Sequence, residues 1–372
     1  MAPSAAPAAS IHSRCTRVRQ ISRLLPSVSN HRPAMRLPCC TEGMDNYRAP
    51  WWLPGGNLQT IWPALYARRV FGPHPQYRRE RWETPDFDFI DLDWADIPGQ
   101  ELALDQHDNA PLVVLFHGLE GSSDSHYARG LMHAVTARGW RGVVVHFRGC
   151  SGEINRLPRA YHSGDSAEID WILRRLRAQH GNPLFATGVS LGGNALLKWL
   201  GEQRETASDI LQRAAVISAP VDLHAAGHAL EQGFNMVYTN NFLATMKRKS
   251  IAKLLQHPGL FDPEKLRATR TLREFDDLVT APLHGFAGVD DYYTRASSKP
   301  LLTGVTVPTL LLNARNDPFL PGTALPEQQQ LSGAITAAFP DEGGHVGFPA
   351  GPFPSHVGAM PAAVVDWLLQ PG

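Results

Sequence analysis

The stretch PLFATGVSLGGNALLKWLG, residues 183–201, decides how this chain is read. Pro183–Val189 is a short continuous apolar run, the pattern of a strand buried on both faces. Asn194–Gly201 carries apolar residues at helical spacing. Between them lies Gly188-Val189-Ser190-Leu191-Gly192, a G-x-S-x-G sequence. Alone, such a pentapeptide arises often by chance and describes no more than a Gly/Ser turn. Directly after a strand and directly before a helix, it predicts a sharp elbow with the serine oxygen at its tip. Glycines at both ends permit the tight turn, and the helix N-terminus aims N–H groups and positive partial charge at the same place.

Strands and helices alternate on either side of this elbow. Pro111–His117 and Gly142–Phe147 are two more apolar runs, separated by a helical stretch over Ser125–Arg138. Ser163–His180 places Ile169, Ile172, Leu173 and Leu176 on one helix face, and Asp165 with Glu168 has the spacing of a capping box. Beyond the elbow, Ala214–Ser218, Val307–Asn313 and Ile335–Phe339 read as strands and Ala362–Leu369 as an amphipathic helix. This alternation implies an α/β fold, a mostly parallel sheet with helices on both faces. Phe87–Trp94 alternates polar and apolar residues and is expected to be an antiparallel edge. The step from Pro220 to Val307 is too long for a loop, so an inserted helical cap is expected at about 222–303.

A serine hydroxyl becomes a nucleophile only when a base takes its proton, and that base must be held in one tautomer. On this architecture the partners follow in the order acid, then histidine. Asp317 stands just past Thr309–Asn313, and His345 follows the last strand by the Gly343-Gly344 turn. Both fall at the carboxyl edge of the sheet with Ser190, where open α/β sheets bind ligands. Asp222 is a rival acid and His356 a rival base; a cap residue before Pro318 and a surface histidine are the plain readings of Asp317 and His345. Acyl transfer also needs donors for a developing oxyanion. The backbone N–H groups of Leu119, after His117-Gly118, and of Leu191, after the serine, are the expected pair.

Further motifs accompany these: YRAPWWLPGGNLQT (47–60), HGLEGSSDSHY (117–127), HFRGCSGEINRLPRAYHSGD (146–165), GVSLGGNALLKWLGE (188–202), APLHGFAGVDDYYTRASS (281–298), NARNDPF (313–319) and GGHVGF (343–348). From Tyr47 to the C-terminus the chain resembles the YheT-like branch of the α/β-hydrolase superfamily, also called AB-hydrolase family 4. The resemblance implies the α/β-hydrolase fold, with the nucleophile at Ser190, the acid at Asp317 and the base at His345. It also implies activity on carboxylic esters, since members include carboxylesterases, acylglycerol lipases, phospholipases and ethyl ester synthase/esterases. Asn57 departs from the family pattern, in which His is frequent.

Composition narrows the partners. Lys+Arg and Asp+Glu are both 35, so the formal net charge is zero and no basic field invites nucleic acid. The zero is a cancellation. Residues 1–41 hold six Arg and no acid, leaving 29 basic and 35 acidic residues, a net of −6, for the rest. Residues 1–43 therefore read as a disordered leader or extension, or upstream codons joined to a start at Met35 or Met44; an organellar targeting segment is the sharper alternative. Residues 44–372 form the expected hydrolase domain, and a cytoplasmic location is the default. Four Cys, three of them in the leader, make no disulfide framework. No apolar run approaches a membrane span. His224 and His228 lack the following Glu of a metalloprotease helix, so no metal is expected. Neither a P-loop nor a dinucleotide fingerprint is present, and no cofactor is required. Lys247-Arg248-Lys249 with Lys253 reads as a solvated helix face, with a lipid-contacting face as the rival; Cys150 reads as loop architecture, and Trp51 and Trp52 as packing an N-terminal segment onto the domain. The expected function is a serine hydrolase acting on short- or medium-chain acyl esters or acylglycerols through an acyl-enzyme. An acyltransferase using the same residues and a non-catalytic binding protein are the alternatives, and the oligomeric state stays open.

Overall fold

The structure, a computed structural model, describes residues 42–66, 75–95 and 110–370, and the expected Arg-bearing leader lies outside them. Eight strands, β1 (Tyr77–Glu83), β2 (Phe89–Ala95), β3 (Leu112–Phe116), β4 (Arg141–His146), β5 (Leu184–Val189), β6 (Arg213–Ile217), β7 (Thr309–Leu312) and β8 (Ile335–Ala338), form one sheet. Its order is β1-β2-β4-β3-β5-β6-β7-β8. Strands β3 to β8 run parallel, while β2 pairs antiparallel with both β1 and β4. From β3 the chain crosses to β4 on one side and to β5 on the other. The loops leaving β3 and β5 therefore diverge at their carboxyl ends and open a crevice there.

The apolar runs form strands because both faces of the sheet are covered. In β3, Leu112, Val114 and Phe116 pack on one face with Ile169, Leu173 and Leu196, and Val113 and Leu115 pack on the other with Leu131 and Val364. The two-residue period thus delivers side chains to two cores at once. The helices are α1 (Glu42–Asp45), α2 (Gly55–Leu65), α3 (His126–Thr136), α4 (Ser166–Gln179), α5 (Leu191–Gln203) and, between β6 and β7, α6 (Leu223–Leu230), α7 (Met236–Gln256), α8 (Pro263–Ala268), α9 (Leu272–Phe275), α10 (Ala281–Leu283) and α11 (Val289–Ala296); α12 (Ala359–Leu368) closes the chain. The long step after Pro220 is thus helical, and it has its own apolar cluster around Leu230, Leu243, Leu266 and Phe275. Among the described residues no helix is long and apolar enough to cross a membrane.

Four expectations are corrected. The segment expected at the antiparallel edge becomes β2, which is buried along its length, and β1 takes the edge. Tyr77–Glu83 does not read as a strand because it is nearly all charge. The register resolves this by setting Arg79 opposite Asp93 and Arg81 opposite Asp91, with ion pairs of 2.7 and 2.8 Å. Next, Asp165 and Glu168 form no capping box: Asp165 takes both oxygens to Arg159 at 2.6 Å, and Glu168 takes Arg148 at 2.7 Å. The Lys247–Lys253 face is solvated only in part, Arg248 being exposed. Lys253 is only 6% exposed, and Lys249 reaches Glu120 at 2.9 Å. Finally, Trp51 packs on nothing, being 91% exposed, whereas Trp52 stacks edge-on against Trp62 and Phe353.

Candidate active site

Ser190 leaves β5 with φ 51° and ψ −120°, a left-handed backbone conformation that a non-glycine residue adopts only when its surroundings impose it. Two constraints do so. The Ser190 N–H stays bonded to Ile217 O of β6 at 2.8 Å, so the elbow begins inside the sheet. The helix α5 then turns back so closely that a Cβ on Gly192 would lie 2.5 Å from both Phe116 O and His117 O, and one on Gly188 would lie 2.6 Å from Gly193 Cα. Glycine at 188 and 192 is therefore a steric requirement of this turn.

His345 comes from the loop after β8. Its Nε2 lies 2.9 Å from Ser190 Oγ, and its Nδ1 lies 2.9 and 3.2 Å from the two oxygens of Asp317. The carboxylate facing Nδ1 keeps the proton there, which leaves Nε2 as the acceptor for the serine hydroxyl. The Asp317 side chain is fully buried and that of His345 is 10% exposed. Asp317 Oδ1 also accepts the Phe319 N–H at 2.8 Å, and the Phe319 ring stacks on the imidazole with centroids 3.9 Å apart. The structure thus brings together the serine, acid and base expected from the sequence. The rivals lie elsewhere: Asp222 caps α6 by accepting the Ala225 N–H, and His356 bridges Ala350. Burial pushes the Cys150 thiol up to about 11, so it stays protonated and a poor nucleophile near neutrality.

The loop after β3 is held from within. His117 Nε2 accepts the Phe147 N–H at 3.1 Å, so the ring proton sits on Nδ1, which donates to Gly118 O at 2.7 Å. Burial lowers His117 to about 3 and keeps it neutral in this role. Gly118 O also accepts the Gly121 N–H at 2.9 Å, and the Gly118 N–H donates to Tyr127 Oη at 2.9 Å. In a trans peptide the C=O and the following N–H point opposite ways, so pinning Gly118 O into the loop turns the Leu119 N–H out of it. Gly118 packs on the serine: a Cβ there would lie 3.1 Å from Ser190 Cβ. Among the described residues neither the Leu119 nor the Leu191 N–H has a hydrogen-bond partner, and both residues line one cavity. The cavity continues between the sheet and the inserted helices over Ile154, Met246, Phe261, Phe275 and Val279, a mostly apolar wall.

His117, Tyr127 and Phe319 lie in motifs quoted above that assign them no role, and Ser218, whose Oγ accepts the Val346 N–H at 3.0 Å, lies in none of them. For His117 the signal was present, since it directly precedes Gly118 at the end of a strand. For Ser218 none was, because its contact with Val346 joins segments far apart in the chain, and the stacking of Phe319 on His345 is hidden for the same reason.

A sequence profile of the alpha/beta hydrolase fold matches residues 111–356. YheT of Escherichia coli (strain K12), an esterase by name, is 41% identical over 317 residues, which cover 84% of this chain and 89% of that protein. Human phospholipase ABHD3 is 30% identical over 321 residues, 85% of this chain and 76% of that one. Among solved structures, an esterase of Pyrococcus furiosus, Pf2001, superposes with a TM-score of 0.45 at 15% identity, covering 79% of this chain and 91% of its own.

Proposed function

This chain belongs to the alpha/beta hydrolase fold family, and from that premise we propose that it is a serine hydrolase of carboxylic esters. Ser190 is its nucleophile, His345 its base and Asp317 its acid. One observation carries the reading: an unbroken hydrogen-bonded line runs from Asp317 through His345 to Ser190, with 2.9 Å at each link.

The chemistry follows from that line. His345 Nε2 takes the Ser190 proton as Oγ bonds to the ester carbonyl carbon. The carbonyl oxygen becomes an oxyanion opposite the Leu119 and Leu191 N–H groups. Each such donor typically contributes ~3 kcal/mol of transition-state stabilisation. Collapse breaks the bond to the alcohol, which leaves with the proton from His345 and deposits the acyl group on Ser190. Water then attacks this acyl-enzyme, gives a proton to His345, and releases the carboxylic acid as the proton returns to Ser190. Asp317 stabilises the imidazolium formed at each step. These steps need no cofactor.

The inserted helices, at about 222–303 of a catalytic domain taken as 44–372, shape the pocket. Its mostly apolar wall supports an acyl chain of short or medium length as the group bound there. The phospholipase name of the human relative supports phospholipid esters among the substrates, beside the acylglycerols that the family resemblance implies. The test is a panel of p-nitrophenyl esters and acylglycerols of increasing chain length, run on wild type and Ser190→Ala together. Wild type is expected to turn over the short and medium members and Ser190→Ala none; turnover retained by the variant would refute the assignment.

A further inference from the structure

We propose that the N-terminal segment Leu53–Thr60 is a positioning clamp for the His345 loop, an inference that rests on the triad reading above. Four consecutive backbone N–H groups of that loop are each held by a side chain from elsewhere in the chain. Gly343 donates to Gln59 Oε1 at 2.8 Å, Gly344 to Asn316 Oδ1 at 3.0 Å, His345 to Thr60 Oγ1 at 2.8 Å and Val346 to Ser218 Oγ at 3.0 Å. Two of the four acceptors come from α2.

Gln59 does more than hold one amide. It is fully buried, and its Oε1 also accepts Asn316 Nδ2 at 2.9 Å while its Nε2 donates to Leu53 O at 2.9 Å. Asn316 directly precedes Asp317, so a single oxygen ties the loop bearing the acid to the loop bearing the base. Thr60 Oγ1 donates to Gly56 O at 2.7 Å, which leaves a lone pair aimed at the His345 N–H. The docking requires glycine at two close approaches, Gly56 and Gly347. A Cβ on Gly56 would lie 1.8 Å from Asn316 O, and one on Gly347 would lie 1.9 Å from Gln59 O.

The loop needs such a hold because its backbone is strained. Val346 and Phe348 have φ of 62° and 37°, a region in which side chains of their bulk are disfavoured. Backbone of this kind persists only where its surroundings over-determine it. The clamp therefore maintains the imidazole in reach of both Asp317 and Ser190, although neither Gln59 nor Thr60 is placed to meet the reacting atoms. This gives the YRAPWWLPGGNLQT motif a task, in its GGNLQT end, that no catalytic residue accounts for.

Thr60→Val keeps the side-chain shape and removes the acceptor, and Thr60→Ser keeps the hydroxyl. The full-length chain and both variants are compared by p-nitrophenyl ester kinetics and by the rate and stoichiometry of Ser190 labelling with a fluorophosphonate. For Thr60→Val, kcat is expected to fall roughly 10- to 100-fold, with KM unchanged and labelling slow but still complete at one probe per chain. Thr60→Ser should recover most of the rate. A wild-type kcat in Thr60→Val would overturn the clamp, as would a loss matched by an equal loss of labelled sites. Should Thr60→Val fail to fold, Asn316→Ala carries the same comparison, and an undiminished kcat there overturns it equally. A wild-type chain that takes no label at Ser190 would instead bring down the triad reading itself.

Discussion

Asp317 sets which nitrogen of His345 carries its proton, and this makes a sharp expectation at the residue scale. Its Oδ1 accepts the Phe319 N–H while Oδ2 faces His345 Nδ1 at 2.9 Å. In Asp317→Asn the Phe319 bond fixes the amide oxygen at the Oδ1 place, so the NH2 group must face Nδ1. The imidazole then carries its proton on Nε2, pointed at a serine it can no longer deprotonate. The fold should survive, because the substitution is isosteric and Phe319 keeps its acceptor. The expected outcome is a kcat lower by roughly 10⁴, with circular dichroism and melting temperature close to wild type. A near-normal rate would move the acid elsewhere in the molecule.

At the scale of elements, what was legible in the sequence follows from burial. Strands β3 to β7 announce themselves as apolar runs because helices cover both faces of the sheet and most positions carry apolar side chains, His146 of β4 with its bond to Asp93 being an exception. The elbow is legible for a related reason: Gly188 and Gly192 are dictated by close backbone approach, and the serine by chemistry. What remained hidden depends on distant partners. The charged strand β1 becomes intelligible only once Asp91 and Asp93 of β2 stand opposite its arginines. Lys249 and Lys253 of α7 look like a solvated face until Glu120 and the Asn155 carbonyl are brought to them. Asp165 and Glu168 have the spacing of a cap, yet Asp165 is drawn to the partly exposed Arg159 and Glu168 to the buried Arg148 instead. In the candidate active site, order and position single out Ser190, Asp317 and His345, and the structure brings these three within hydrogen-bond distance. The residues that hold them, such as Gln59 and Thr60, lie some 280 positions from the loop they support.

For the whole molecule, the buried histidines govern how stability responds to acid. Burial lowers His117 and His162 to about 3, and His126 and His180 to about 4. An unfolded chain takes up protons on these side chains near pH 6.5. The folded chain refuses them until pH 3 to 4, so stability is lost progressively as pH falls below about 6.5. Burial works in the opposite sense on Glu168 and Asp276, pushed up to about 7 and about 6, but two groups oppose four. The melting temperature is therefore expected to drop by roughly 5 °C or more between pH 7 and pH 5; a flat or rising profile in a scanning calorimeter would contradict these assignments. Because neutral His117 holds the loop after β3 beside Ser190, exposure to strong acid should also loosen that loop.

The proposed chemistry turns on one covalent bond, between Ser190 Oγ and an acyl group. It is tested most directly by treating the full-length chain with a fluorophosphonate probe, reading the intact mass, and mapping the adduct by peptide mass spectrometry. One probe per chain is expected, on the peptide carrying Ser190, with ester hydrolysis lost in step and no label in Ser190→Ala. Labelling that maps to another residue, or persists undiminished in Ser190→Ala, would contradict it.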